Sequence, residues 1–118
     1  MNVNDLVQRY IDIWNETDPQ RRRAAIDRLY TEDCAYSDPI GAVSGRAGVD
    51  AFVDGVQRQF PGIQFRLVGA VDAHHAQARF YWHAGGPDGE PAAIGFDVAV
   101  LAGDRIRAIY GFLDKAPF

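Results

Sequence analysis

The chain has 118 residues, 47% of them hydrophobic and 24% charged, which supplies one compact core and leaves no length for a second. Its formal charge of −4 would repel polyphosphate, and the cations are scattered apart from Arg21, Arg22 and Arg23, so no nucleic-acid partner is expected. Cys34 is the only cysteine, which excludes an internal disulfide. With no signal-like N-terminus and no run approaching the roughly 20 apolar residues of a bilayer span, a soluble cytoplasmic chain without membrane contact is expected.

Residues 3–16 set Val3, Leu6, Val7, Tyr10, Ile13 and Trp14 at helical intervals beside Asp5, Gln8, Arg9, Asp12 and Glu16, predicting an amphipathic first helix. Asp18-Pro19 reads as an N-cap followed by a proline at the first helical position. The second helix it opens buries a stripe through Ala25, Ile26, Leu29 and Tyr30, with the arginine triplet expected in solvent. A strand through Cys34-Ala35-Tyr36-Ser37 then breaks near Asp38, because Pro39 restricts both itself and the residue before it. One short strand is allowed in the turn that follows.

A third helix is predicted at about 46–60, with Val49, Phe52, Val53, Val56 and Phe60 on its apolar face and Pro61-Gly62 stopping it. From Ile63 the apolar period changes to two. Ile63, Phe65 and Leu67 alternate with Gln64 and Arg66, and residues 76–84 form a second long strand joined to the first near 72–75. Gly85-Gly86-Pro87-Asp88-Gly89 reads as a loop, and residues 92–102 and 105–113 as two further strands separated by Gly103-Asp104. Helices gathered ahead of hairpin-linked strands predict an α+β domain. In this reading a strongly curved antiparallel sheet wraps around the three helices of the N-terminal half as a cone-shaped α+β barrel, and its concave face encloses an apolar pocket.

Missing residue types narrow the chemistry. Lys115 is the only lysine and lies near the C-terminus, a poor setting for the buried amine of Schiff-base catalysis. Ser37 and Ser44 are the only serines, neither in a nucleophile elbow, and there is no phosphate-binding Gly-rich loop with its lysine. His74, His75 and His83 have no ligand spacing, so no metal site is read.

The last hairpin permits a register argument. With Gly103-Asp104 at the turn, Ala102 opposes Arg105, and counting back places Asp97 opposite Tyr110 on a face shared with Gly95, Ala99, Leu101, Ile106, Ala108 and Phe112. A carboxyl among such neighbours is costly as an anion. Asp97 is therefore a candidate either for an acid held neutral at pH 7 or for a general base with a raised pKa. Asp38, at the end of an aromatic strand, reads as a second acid or as a local Asx turn. Tyr10 reads as a core phenol or as a hydrogen-bond donor. Two carboxyls and a phenol converging on an apolar cavity suit proton transfer beside a carbonyl.

These segments resemble the nuclear transport factor 2-like superfamily, and within it the ketosteroid isomerase and SnoaL-like polyketide cyclase branches, over nearly all of 1–118 as a single domain. Val7-Gln8-Arg9-Tyr10 resembles the isomerase segment with the oxyanion-hole tyrosine, and Asp33-Cys34-Ala35-Tyr36-Ser37-Asp38-Pro39-Ile40-Gly41 the segment with its base. Gly45-Arg46-Ala47-Gly48-Val49 is similar to the start of the family's third helix, and Gly95-Phe96-Asp97 to the segment carrying the isomerase's protonated donor and the cyclases' acid/base aspartate. The resemblance implies Asp38 as base, Tyr10 and protonated Asp97 as oxyanion donors, and Trp14, Tyr36, Phe60, Trp82 and Tyr110 as pocket walls. Val53 follows Phe52 where the isomerase has a second, supporting tyrosine.

The implied activity is cofactor-independent acid/base chemistry on an apolar cyclic carbonyl compound, either double-bond isomerisation or ring closure. Two alternatives stay open: a non-catalytic ligand-binding or interaction module, and epoxide hydrolysis through an Asp-Arg-Asp set with Arg79 as the cation. A homodimer is expected, since Ile94, Phe96, Val98 and Val100 leave the other sheet face apolar.

Overall fold

A computed structural model describes residues 2–87 and 89–118; Asp88, in the loop expected at 85–89, lies outside the described residues, as does Met1. The order is α1 (Val3–Asn15), α2 (Pro19–Leu29), β1 (Tyr30–Ser37), β2 (Ala42–Ser44), α3 (Gly45–Gln59), β3 (Gln64–His74), β4 (Gln77–Gly85), β5 (Ala93–Ala102) and β6 (Arg105–Lys115). No helix among the described residues is long and apolar enough to cross a membrane.

The helix starts follow from local chemistry. The Asn2 side chain accepts from the Asp5 amide at 2.9 Å, and the Asp18 carboxylate accepts from the Gln20 and Arg21 amides just before Pro19. Each satisfies amides that the first helical turn leaves without partners. The C-terminal carbonyls of α1 are taken up by another element: Gln57 Nε2 donates to the Trp14 and Glu16 carbonyls at 3.0 and 2.9 Å. Asn15 exchanges two hydrogen bonds with the backbone of Phe65, pinning the end of α1 to β3.

The expectation of a solvated arginine triplet fails at Arg22, which is 2% exposed. Its Nε donates to Asp50 at 2.8 Å, Nη2 to Asp54 at 3.1 Å and Nη1 to Gln57 at 2.7 Å, so a buried charge fastens α2 to α3. These acids sit on a different helix, out of reach of a pattern read along α2 alone.

Six strands form one open, curved sheet in the order β2-β1-β6-β5-β4-β3. The sheet is mixed and not closed, which corrects the all-antiparallel expectation. β1 runs parallel to β6, pairing Tyr36 with Ile109 and Ser37 with Tyr110. This pairing joins residues far apart in sequence, and no hairpin signal announces it. The core between the helices and the inner sheet face contains Val7, Ile11, Ile26, Tyr30, Val53, Phe80 and Ile109, each no more than 2% exposed.

Register on the β5–β6 hairpin departs from the simple count. Ala102 opposes Arg105 and Leu101 opposes Ile106, but Val100 opposes Ala108, so Arg107 is an extra residue on β6. This bulge shifts the pairs from Val100 back to Gly95 by one, so Asp97 faces Gly111 and Tyr110 faces Val98; a second irregularity follows between Gly95 and Ile94. Tyr110 is consequently 48% exposed on the outer face, and its assignment as a pocket wall is corrected.

Candidate functional site

One end of the space between helices and sheet opens as an apolar cleft. It is narrow and open to solvent at its mouth. Of the residues expected to form it, Tyr10, Trp14, Tyr36, Asp38, Phe60, Trp82 and Asp97 all line the cleft, whereas Tyr110 does not. Phe65, Gly111 and Phe112 also contribute; Gly111 carries no side chain by which a sequence pattern could have marked it. The aromatic wall is built around Trp14, whose ring lies 5.3 Å from Phe65, 5.7 Å from Tyr36 and 6.1 Å from Phe52.

Asp97 stands on the inner face of β5 and is 3% exposed. Tyr10, 87 residues earlier, donates its hydroxyl to Asp97 Oδ2 at 2.6 Å. Trp82 donates its indole N–H to Oδ1 at 3.2 Å, which settles the orientation of this strand residue as inward. Burial is the main cause of a carboxyl pKa pushed from 3.8 up to about 6; the Asp38 charge adds to the rise, while the Tyr10 and Trp82 hydrogen bonds oppose it. Burial, reinforced by the Asp97 charge, also holds the Tyr10 and Tyr36 phenols well above their ordinary pKa, so both remain protonated donors.

Asp38, just beyond β1, lines the same cleft with both oxygens engaged. Oδ1 accepts from the Ile40 and Gly41 amides at 2.8 and 3.1 Å, and Oδ2 accepts from the Tyr36 hydroxyl at 2.7 Å. The Asx turn and the placement beside the cleft are therefore both realised in the same residue. Gly111 lies between the two acids. A Cβ there would come within 2.8 Å of Asp97 Oδ1 and 3.2 Å of Asp38 Cβ, so the absence of a side chain keeps the gap between them open.

The cation needed for water activation by an Asp-Arg-Asp set is not here. Arg79 is half exposed, pairs with Asp72 at 3.1 Å and lies outside the cleft lining, which removes the structural basis for the epoxide reading.

The sequence profile of the SnoaL-like domain matches residues 7–109. A SnoaL-like protein of Agrobacterium tumefaciens, provisionally described as an isomerase, is 37% identical to the chain; the alignment covers 93% of this chain and 95% of that one, with a TM-score of 0.89. A Jannaschia protein provisionally described as a SnoaL-like polyketide cyclase is 16% identical over 94% of this chain and 86% of its own, with a TM-score of 0.73. A Kribbella flavida protein provisionally described as a ketosteroid isomerase is 20% identical over 95% and 77%, with a TM-score of 0.71. The last two likenesses show the fold alone. Among curated proteins the chain has no significant match.

Proposed function

The chain belongs to the SnoaL-like domain family, and from that premise we propose that it is a cofactor-independent acid/base enzyme acting on an apolar cyclic carbonyl compound. The observation that carries this reading is Asp97: a carboxyl buried in an aromatic cleft, with a pKa of about 6, close enough to neutrality both to take and to return a proton.

In the proposed reaction, Asp97 takes a proton from the carbon next to the carbonyl; the C–H electrons form the enolate, whose charge settles on oxygen. Tyr36, whose proton burial retains, would turn its hydroxyl from Asp38 to the enolate oxygen, while Tyr10 keeps its own proton on Asp97 Oδ2. Return of the proton to another carbon completes a double-bond isomerisation. Attack of the enolate carbon on a second carbonyl, with the proton passing to the new alkoxide, completes a ring closure instead.

The base role that resemblance gives to Asp38 fits Asp97 better here, because three donors already occupy the Asp38 oxygens. Asp38 then anchors Tyr36 on β1. The test is turnover of a panel of cyclic enones and linear poly-β-ketones by the parent, Asp97→Asn and Asp38→Asn. The expected loss for Asp97→Asn is at least about 10²-fold. Equal turnover by parent and Asp97→Asn refutes the assignment, and binding without conversion by the parent identifies a ligand-binding module.

The working unit is proposed to be a homodimer joined through the outer sheet face. There Phe96 stacks on Phe112 at 5.0 Å and packs against Tyr81 at 5.5 Å, while Tyr81, Tyr110 and Phe112 remain 43–52% exposed in the single chain.

A further inference from the structure

Both oxygens of Asp97 accept a hydrogen bond, but the two donors differ in their surroundings. Tyr10, itself 2% exposed, engages Oδ2 at 2.6 Å. Oδ1 is the oxygen nearest Gly111, itself a cleft residue, and its donor, the Trp82 indole, is partly buried at a longer 3.2 Å.

The reach of Trp82 to this oxygen is not automatic. Across the β4–β5 ladder Trp82 pairs with Gly95, while Asp97 pairs with Phe80, so the indole must lean diagonally along the inner face to meet the carboxyl. It does so by lying over Gly95. A Cβ at that position would stand 2.6 Å from Trp82 Cζ2 and would also collide with the Phe112 carbonyl oxygen. Phe65, with its ring 5.6 Å from the indole, supports Trp82 from β3. A residue acting only as an apolar wall would need no aimed N–H.

We propose that Trp82 is a positioning residue for Asp97, its indole laid across Gly95 so that the N–H fixes the carboxyl with Oδ1 turned to the guest as the proton-carrying oxygen. This inference rests on the acid/base reading of the cleft. It makes Gly95 part of the device, since any larger residue there would lift the ring away from the carboxyl. The other titratable groups that interact with Asp97 are Tyr10 on α1, Tyr30 and Tyr36 on β1, and Asp38 just beyond β1. None of them is altered by a substitution at position 82.

Trp82→Phe keeps an aromatic ring and removes only the donor. A hydrogen bond to the ionised carboxyl favours the charged form, so its loss raises the Asp97 titration midpoint, by roughly one pH unit. The experiment is a pH titration of the Asp97 side-chain carboxyl by ¹³C NMR in the parent and Trp82→Phe, without substrate. In the parent alone, the Trp82 indole ¹H–¹⁵N resonance should titrate with the same midpoint as the carboxyl, which provides a readout should Trp82→Phe fail to fold. A midpoint that is unmoved or lowered in Trp82→Phe, or an indole resonance indifferent to Asp97 ionisation, overturns the proposal. Because neither readout needs turnover, both decide the role of Trp82 even if the Asp97→Asn assay were to overturn the acid/base reading itself.

Discussion

Removing the buried charge of Asp97 should make the protein more stable in alkali than in acid, relative to its parent. The carboxyl is 3% exposed and its pKa rises from 3.8 to about 6 in the folded chain, which corresponds to ~3 kcal/mol of penalty on the charged form. A raised carboxyl pKa contributes stability that is fully present below 3.8 and is lost as pH rises through about 6. In Asp97→Asn that loss is absent. The amide has only one oxygen for two donors, so a hydrogen bond worth about 1 kcal/mol is given up at every pH. The variant should therefore gain a net ~1–2 kcal/mol at pH 8, and its advantage should shrink by about 1.4 kcal/mol on going to pH 5. Urea unfolding of both proteins at the two pH values and one protein concentration measures this directly, since other carboxylates cancel in the comparison. A difference between variant and parent that is the same at pH 5 and pH 8 would refute the claim that Asp97 is buried as described.

Gly111→Ala places a methyl group 2.8 Å from Asp97 Oδ1, and should cut ligand affinity or turnover at least about tenfold while Asp97 still titrates; unchanged kinetics would show that the guest does not sit between the two acids. Arg22→Ala strips the shared partner from Asp50, Asp54 and Gln57 and should cost about 2–3 kcal/mol in chemical denaturation, where a cost near zero would mean that the cluster adds nothing to the α2–α3 contact. Phe96→Glu puts a charge into the outer aromatic patch and should convert a dimer to monomer in sedimentation at micromolar concentration; a parent that is already monomeric would remove the proposed interface.

Local signals in the chain account for much of this architecture. Helical spacing found all three helices because each buries one stripe, and the proline and aspartate at positions 18–19 marked the start of α2 where the cap occurs. The pairing Ala102 with Arg105 followed from the Gly103-Asp104 turn, where Gly103 adopts a φ of +62°. The same reasoning failed five residues farther along, because an extra residue at Arg107 reverses the parity of β6 and sends Tyr110 to the outside. Nothing in the alternation of apolar residues announces a single-residue bulge.

The meeting of Tyr10 with Asp97 across 87 residues was legible only through resemblance, and the Trp82 contact in no way at all, since it depends on a ring leaning over a bare backbone position. Arg22 shows the complementary failure. Three adjacent arginines look alike in sequence, and only the arrangement of Asp50 and Asp54 on α3 distinguishes the buried one.

The central claim is that the cleft presents a guest's carbonyl region to the cleft-side oxygen of Asp97. A crystal structure with 2-naphthol, a planar phenol that mimics a bound enol, tests it most directly. The naphthol ring should lie against Trp14 with its oxygen within about 3.2 Å of Asp97 Oδ1. A naphthol seated elsewhere, or lodged in the cleft with its oxygen beyond hydrogen-bonding reach of Asp97, would contradict it.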